Sequence, residues 1–288
     1  MKYIDCEKYA NEILEQAKHT TFTKTFAIVS VGDNPASQSY IKGKIKDCEY
    51  CGIPYVHKHI DLNTEPYPDL ALEGMLRYLA FEKTVGSIIL QLPLPDGWDE
   101  DYYLSLIPPE KDVDGFSQYS PFKPCTPEGI VYLLKKELGN LEGMKALIVG
   151  RGKLVGRPLF DLLLNENCTV TMAHSKTPRA DLYYGKHDII VTAAGVPKLM
   201  DLKICRDAKI IIDAGINRVD GKLCGDCYGF YEAFNQNLRV TPVPKANVNP
   251  HLPAPRRFIY QRGKRNLLFF PSAFPPVSYQ EPPSSAHP

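Results

Sequence analysis

The stretch ALIVGRGKLVGRPLFDLLLNE, residues 146–166, decides the fold of this 288-residue chain. It opens with an apolar β-rich run, passes through a glycine-rich turn and continues with the apolar periodicity of a helix. Gly150, Gly152 and Gly156 form a G-x-G-x-x-x-G pattern, one residue longer than the usual dinucleotide fingerprint. Small residues let the backbone approach a pyrophosphate, and a helix N-terminus supplies free N–H groups. The stretch therefore predicts a dinucleotide site; the alternative is a tight turn used only for packing.

The residues after the next strand indicate which dinucleotide binds. NAD enzymes place an acidic residue on the adenosine ribose about 20 positions beyond the glycines. Here that place holds HSKTPR (174–179), which has no acid. Its donors are Ser175, Lys176 and Arg179. Hydroxyl and cationic donors bind a 2′-phosphate that a carboxylate would repel, and Arg151 in the turn can reach the same phosphate. We therefore expect NADP rather than NAD; the alternative is a polar surface loop.

Strand and helix patterns of this kind alternate along most of the chain. Apolar β-rich runs stand at 26–32, 86–94, 145–152, 168–175, 187–195 and 208–216. Helical patterns fall between them at 37–51, 67–83, 127–138, 155–167 and 178–186. Several runs are apolar without alternation, as in strands buried on both faces. The order predicts an α/β fold with a parallel sheet flanked by helices.

Prolines and a glycine interrupt this pattern in SPFKPCTPEG, residues 120–129. We therefore place a first α/β domain at 1–122, a second at 123–244 and a tail at 245–288. The tail has nine prolines and one acidic residue against six lysines and arginines. Such a composition cannot bury a core, so we expect a disordered tail.

Composition excludes several classes of protein. The 34 Lys+Arg residues nearly balance 33 Asp+Glu residues, so no nucleic-acid or membrane partner is expected. The N-terminus lacks the apolar core of a signal peptide, which favours a cytoplasmic protein. Two C-x-x-C pairs, Cys48/Cys51 and Cys224/Cys227, could be a zinc or redox pattern, but they lie far apart without a histidine array. We expect no metal site.

A second stretch with chemical potential is YIKGKIKDCEYCGI, residues 40–53, which follows a turn-rich segment. Tyr40 and Lys44 stand four residues apart, so on a helix they share one face. Their phenol and amine could therefore act together. Alternatively, they are surface residues of a basic helix.

Seven motifs in chain order carry a resemblance to a known family. They are ASQSYIKGKIKDCEYCGI (36–53), SIILQLPLP (87–95), PEKDVDGF (109–116), PCTPEGI (124–130), VGRGKLVGRPL (149–159), TVTMAHSKT (169–177) and VTPVP (240–244). Over about residues 20–244 the chain resembles the bifunctional methylenetetrahydrofolate dehydrogenase/methenyltetrahydrofolate cyclohydrolase family, the FolD type. The resemblance implies two α/β domains around a cleft, the second a Rossmann-like NADP-binding domain, usually paired as a homodimer.

The resemblance also implies two reactions on tetrahydrofolate derivatives. Hydride passes from 5,10-methylenetetrahydrofolate to NADP+, giving the methenyl cation, and water opens that cation to 10-formyltetrahydrofolate. These reactions belong to one-carbon metabolism and serve purine biosynthesis.

The resemblance assigns roles to residues of the first half. Tyr40 and Lys44 match the family's Y-x-x-x-K pair, whose lysine carries the proton chemistry of the cyclohydrolase step. Desolvation beside a cationic folate favours a neutral amine that can accept a proton. Gln91 matches the glutamine that orients the lysine, and Tyr40 can stack near the pterin. Asp114 matches the aspartate that holds the amino-pyrimidine edge of the pterin.

In the second half the resemblance concerns the cofactor. Arg151 and Ser175 match contacts to the NADP phosphate, in addition to the glycines of the turn. Thr126 lies in a motif beside the cofactor cleft. The stretch that passes the nicotinamide contains Ala214, Gly215 and Ile216.

Two departures from the family pattern stand out. The family's turn commonly reads V-G-R-S, whereas here Gly152 replaces the serine, a loss of about 1 kcal/mol of hydrogen bonding. After VTPVP the family continues P-G-G-V-G-P-M-T, whereas this chain has Lys245 and Ala246 at the first two positions. Side chains there could crowd the site. The alternative to an active enzyme is therefore an impaired member that still binds NADP or folate; another NADP oxidoreductase would leave the first-half motifs unexplained.

Overall fold

The computed structural model describes residues 1–117, 119–220, 222–230 and 237–242. Over these residues the helices are α1 (Cys6–Lys18), α2 (Pro35–Cys51), α3 (Pro68–Phe81), α4 (Glu100–Ser105), α5 (Cys125–Leu138) and α6 (Gly156–Asn165). The strands are β1 (Lys2–Tyr3), β2 (Thr25–Val31), β3 (Tyr55–Ile60), β4 (Val85–Leu90), β5 (Lys145–Val149), β6 (Thr169–Ala173), β7 (Ile189–Thr192), β8 (Met200–Asp201), β9 (Ile210–Asp213), β10 (Asn217–Val219), β11 (Lys222–Cys224), β12 (Cys227–Tyr228) and β13 (Arg239–Val240). The predicted tail, 245–288, lies outside the described residues.

The first half of the chain forms a three-stranded parallel sheet in the order β3-β2-β4. Successive residues of β2 point to opposite faces, and both faces are covered. Phe26 and Ile28 pack in one buried cluster, which also contains residues of α1 and α2. Ala27 and Val29 pack in a second cluster, which contains residues of α3. Burial on both faces explains why the predicted runs are apolar without alternation.

The second half forms a six-stranded sheet in the order β1-β13-β9-β7-β5-β6, and every pair in it is parallel. Alternate residues again enter two different cores. Ile148 and Ile189 face one cluster, together with residues of α5 and α6. Leu147 and Ile190 face the other. The predicted α/β class with a parallel sheet is thus confirmed.

Some elements differ from the prediction. The predicted helix at 178–186 is wrong: the region holds only a 3-10 turn, Ala180–Tyr183. Arg179, just before the turn, adopts a left-handed φ of 48°, so no helix can include residues 178 and 179. Strand β3 was not predicted, because its sequence YVHKHI is polar in the middle and its edge position leaves that part half-buried or exposed.

The first residues of the chain belong to the second sheet. Strand β1 pairs with β13, with Lys2 opposite Arg239. Helix α1 then crosses to the first half: Cys6 packs in the core below the second sheet, whereas Ile13 packs in the core of the first. The boundaries at 122 and 244 stay predictions. Because β1 pairs with β13, the chain also crosses from the second half to the first near residue 5.

Candidate functional site

A cleft of about 290 Å³ lies between the two halves of the chain. Its walls are the segment 114–126 and the loops that follow β5, β7 and β9 of the six-stranded sheet, at the strand ends where ligands of open α/β sheets usually bind. The lining residues are Asp114, Phe116, Pro124, Cys125, Thr126, Gly152, Leu154, Val155, Ala193, Ala194, Gly195, Ala214, Gly215 and Ile216. We call residues 193–195 and 214–216 the second-half wall. Of the predicted site residues, those that line this cleft are Asp114, Thr126, Gly152, Ala214, Gly215 and Ile216.

Lys44 and Gln91 come together although they are far apart in sequence. Lys44 lies on α2, and Gln91 directly follows β4. The Lys44 Nζ donates to Gln91 Oε1 at 3.3 Å, and both side chains are buried. Gln91 Nε2 donates to the Leu92 carbonyl at 2.7 Å, which leaves its oxygen for the lysine. The pair is thus an amine held in place by an amide that is itself anchored.

Tyr40 lies one turn before Lys44 on the same helix and is half-buried. Helix α2 buries Ile41 and Cys48 in the first-half core. The phenol and the amine therefore lie on adjacent turns of a helix that is fixed by its apolar contacts.

The loop that carries Asp114 is anchored at its start. Lys111 Nζ donates to the carbonyls of Leu79, Ala80 and Glu82, at 3.0, 2.8 and 2.8 Å, where α3 ends. The carboxylate of Asp112 accepts the Ser117 backbone N–H at 2.7 Å and so closes the loop. Asp114 lies between these anchors, is buried to 8 % exposure and lines the cleft.

Cys125 lies close to both groups described above, the Lys44–Gln91 pair and the loop around Asp114. It begins α5, lines the cleft and donates from Sγ to the Val113 carbonyl at 3.3 Å. Burial raises the pKa of its thiol well above the ordinary value; the charge of Asp114 raises it further, and that of Lys44 lowers it. The thiol thus stands within electrostatic reach of both groups, as an uncharged wall of the cleft.

The glycine turn after β5 has the close contacts that the sequence suggested. Gly150 has φ +124°, and a Cβ there would lie 2.4 Å from the Ala193 carbonyl oxygen. A Cβ on Gly156, the first residue of α6, would lie 2.1 Å from the Gly150 oxygen. At Gly152, by contrast, a Cβ would meet nothing within 4 Å. Two glycines are therefore needed for the turn itself, and the third leaves open space beside the cleft.

The structure places Arg151 and Ser175 at corresponding positions beyond adjacent strands. Val149 of β5 pairs with Ala173 of β6, and the two residues each stand two positions further on. Both are exposed. Arg179 is instead engaged locally, with its guanidinium donating to Asp181 at 3.1 and 3.0 Å. Arg151 and Ser175 thus lie beyond the same end of two adjacent strands, whereas Arg179 is bound to an acidic neighbour.

Sequence reasoning missed several residues of the site. The stretch 193–195 lines the cleft but follows β7 as the inconspicuous letters AAG. Its position at the carboxyl end of a parallel strand was the available signal. Cys125 stands in the motif PCTPEGI (124–130) but was given no role. Among the described residues no cluster of three or more His, Cys, Asp or Glu could hold a metal ion.

Within the same residues, no helix combines the length and apolar character that crossing a bilayer requires.

Comparison with known families matches most of the chain. Residues 4–114 match the family described as "Tetrahydrofolate dehydrogenase/cyclohydrolase, catalytic domain". Residues 124–250 match "Tetrahydrofolate dehydrogenase/cyclohydrolase, NAD(P)-binding domain". The gap between the two matches falls in the interrupted segment near residue 120, close to the predicted boundary.

Curated relatives are similar over nearly their whole length. The bifunctional protein FolD of Campylobacter jejuni is 38% identical over 262 residues, covering 85% of this chain and 92% of that protein. The bifunctional protein FolD of Rickettsia typhi is 40% identical over 260 residues, with 84% and 90% covered.

Solved structures give the same result. The bifunctional FolD enzyme of Campylobacter jejuni has a TM-score of 0.78 at 33% identity, covering 95% of this chain and 98% of that chain. The methylenetetrahydrofolate dehydrogenase-cyclohydrolase of Trypanosoma brucei, solved with NADP cofactor and inhibitor, has a TM-score of 0.77 at 25% identity, with 94% and 95% covered.

Proposed function

The chain belongs to the tetrahydrofolate dehydrogenase/cyclohydrolase family, and on that premise we propose how its residues divide the work. It is an enzyme that oxidises 5,10-methylenetetrahydrofolate to the 5,10-methenyl form with NADP+ and then hydrolyses that product to 10-formyltetrahydrofolate. The observation that carries the assignment of residues is the shared cleft. Asp114 and Cys125 line it together with Gly152 of the glycine turn and the second-half wall.

Folate binds on the first-half side in this proposal. The Asp114 carboxylate accepts two N–H bonds from the amino-pyrimidine edge, a geometry that only a planar donor pair satisfies. Tyr40 stacks against the pterin from α2. The anchored loop around Asp114 supports this role, because a fixed acceptor loses little conformational entropy on binding.

Lys44 carries the hydrolysis. Water forms a bond to the methenyl carbon while the neutral Lys44 amine takes a water proton. The bond from that carbon to N5 then breaks as N5 takes the remaining hydroxyl proton, leaving the 10-formyl product. The Gln91 oxygen, at 3.3 Å from Nζ, orients the amine for this step.

The cofactor binds at the second half. The turn of Gly150, Gly152 and Gly156 and the N-terminus of α6 fit a pyrophosphate, and Arg151 with Ser175 fits a 2′-phosphate. Thr126, Gly215 and Ile216 flank the nicotinamide end. When bound, NADP+ supplies the hydride acceptor; the protein positions it against the folate carbon and excludes water.

The test uses the full-length protein with methylenetetrahydrofolate and either NADP+ or NAD+, recording NADPH and methenyl-folate together. We expect turnover with NADP+. Changing Lys44→Met should lower the cyclohydrolase rate by about 100-fold, as expected for loss of a general base, while NADPH still forms. Lys46→Met, an exposed lysine on the same helix, is the matched control. Normal hydrolysis by Lys44→Met would refute its role.

The comparisons favour this active enzyme over the impaired binding protein that the replaced glycine loop suggested. Silence of the purified protein in both assays, with NADP still bound, would reverse that preference.

The setting of the enzyme is also part of the proposal. We place it in the cytoplasm, in one-carbon metabolism that serves purine biosynthesis, and as a homodimer. Light scattering at micromolar concentration should then give twice the chain mass of 32.4 kDa. A mass equal to one chain would exclude the homodimer.

A further inference from the structure

Asp226 is a fully buried carboxylate between β11 and β12 that accepts four hydrogen bonds. Its Oδ2 accepts from the backbone N–H groups of Ala194 at 2.8 Å and Gly195 at 3.1 Å. Its Oδ1 accepts from the Val196 N–H at 2.9 Å and from Asn217 Nδ2 at 2.9 Å. One side chain therefore satisfies a run of three consecutive backbone donors and a side-chain amide.

These donors belong to the second-half wall or adjoin it. Ala194 and Gly195 line the cleft after β7, and Asn217 directly follows Ile216, which lines the cleft after β9. The carboxylate also packs against this wall: a Cβ added to Gly215 would lie 2.0 Å from Asp226 Oδ1. Asp226 thus holds the two loops of the wall together through hydrogen bonds to both of them.

A second buried carboxylate fixes Asp226 in turn. Asp213, at the end of β9, accepts the backbone N–H of Asp226 at 3.0 Å and that of Cys227 at 2.9 Å. It also accepts from the Gly215 N–H and the Thr192 hydroxyl, both at 3.0 Å. The network therefore runs from the sheet through two carboxylates to the cleft.

We propose that Asp226 is a positioning residue for hydride transfer, acting through the second-half wall on the nicotinamide end of the cofactor. The inference rests on the proposed function of that wall. Lys44 and Gln91, which carry the hydrolysis, lie on the other half of the molecule, on α2 and directly after β4. Asp226 therefore controls the dehydrogenase and not the cyclohydrolase.

The variant Asp226→Asn tests this with nearly unchanged volume. In one orientation its amide NH₂ faces the N–H groups of Ala194 and Gly195, and in the other it faces the Val196 N–H, so at least one backbone donor of this loop is repelled. We expect the dehydrogenase kcat to fall by about 100-fold, the scale of a misplaced reactant, with a smaller change in KM for folate. Hydrolysis of supplied methenyltetrahydrofolate should stay within about twofold of the unaltered enzyme, since that reaction needs no hydride acceptor.

Two controls separate positioning from folding. Asp220→Asn changes an exposed aspartate in the same hairpin region and should leave both activities unchanged. The exchange Asp226→Asn with Asn217→Asp returns an acceptor opposite the new amide and should recover part of the dehydrogenase rate. If Asp226→Asn does not fold, Asn217→Ala, which removes one donor, should lower only the dehydrogenase.

The possible outcomes are distinct. Equal loss of both activities in Asp226→Asn and Asn217→Ala, or no loss in either, overturns the positioning role while leaving the enzyme assignment intact. Silence of the unaltered protein in both assays overturns the proposed function and this inference with it.

Discussion

At the scale of single residues, Gly152 shows how one departure from a family pattern can be judged physically. The position has open space around it and no left-handed φ, so a serine fits without strain. Its hydroxyl would stand in the turn that is proposed to hold the cofactor. Nothing in the described structure requires glycine there.

We therefore predict that Gly152→Ser tightens NADP binding. One added hydrogen bond of about 1 kcal/mol corresponds to roughly a fivefold lower Kd. Titration of NADPH fluorescence would measure it. Gly150→Ser serves as the opposite control, because its Cβ would meet a carbonyl at 2.4 Å and binding should be lost. An unchanged or higher Kd for Gly152→Ser would contradict the expectation.

Sequence could indicate some residues of the site and not others, for a physical reason. Tyr40 and Lys44 were found because a helix places them on one face. Gln91 and Asp114 were found only through family motifs, since nothing local distinguishes them from strand-end and turn residues. Asp226 was not found, because its partners are backbone N–H groups about 30 residues away and backbone donors leave no mark in a sequence.

At the scale of elements, the loop from Lys111 to Ser117 shows how a carboxylate can be positioned at a cost. Asp112 is buried, and burial raises the pKa of its carboxyl to about 6, with the charge of Asp114 acting in the same direction. Its backbone donors only partly offset this effect. The loop is therefore held by a carboxyl whose ionisation is less favourable in the folded protein than in water.

We predict a pH dependence of stability from this group. A carboxyl with a folded pKa above its unfolded value of 3.8 stabilises the fold below pH 4, and this contribution is lost as the pH rises through 6. Asp112→Asn cannot lose it, so between pH 4 and 7 the variant should gain up to about 3 kcal/mol of unfolding free energy relative to the unaltered protein.

Urea unfolding at several pH values would measure this difference, with exposed Asp96→Asn as the control. A difference between Asp112→Asn and the unaltered protein that does not change with pH would show that the carboxyl titrates normally.

The long apolar elements were predictable, and the short or half-polar ones were not. Strands β5, β7 and β9 are buried on both faces, so hydrophobicity alone marks them. Strand β3 and helix α1 carry polar residues on their open sides. The turn at 180–183 was taken for a helix because the backbone at Arg179 cannot be read from its neighbours' hydrophobicity.

At the scale of the whole molecule, α1 joins the two halves. Tyr9 on α1 donates to Glu137 on α5 at 2.7 Å, and Lys136 of α5 donates to Glu12 of α1 at 3.1 Å. The helix also contributes to the cores of both halves. Unfolding of one half therefore exposes apolar surface of the other.

We predict that the first and second halves of the described structure unfold in one transition. The single tryptophan, Trp98, lies in the first half and packs against its core. Its fluorescence should change at the same temperature as the far-UV circular dichroism, which reports on both halves. Two transitions more than a few degrees apart would show that α1 does not couple the halves. The variant Ile13→Ala weakens the packing of α1 in the first-half core alone, so it should begin to separate the two transitions.

The pairing of Lys2 with Arg239 has a consequence for how the protein is made. Strand β1 leaves the ribosome before the other described elements, and its partner β13 follows only after nearly all of the described chain. At usual translation rates the delay is roughly 10 to 50 s, long compared with the folding of a small sheet. The first-half sheet can form during synthesis, whereas β1 must wait unpaired beside it. Nascent chains halted before β13 should therefore have the first tertiary core and an unpaired β1 segment that proteases cut.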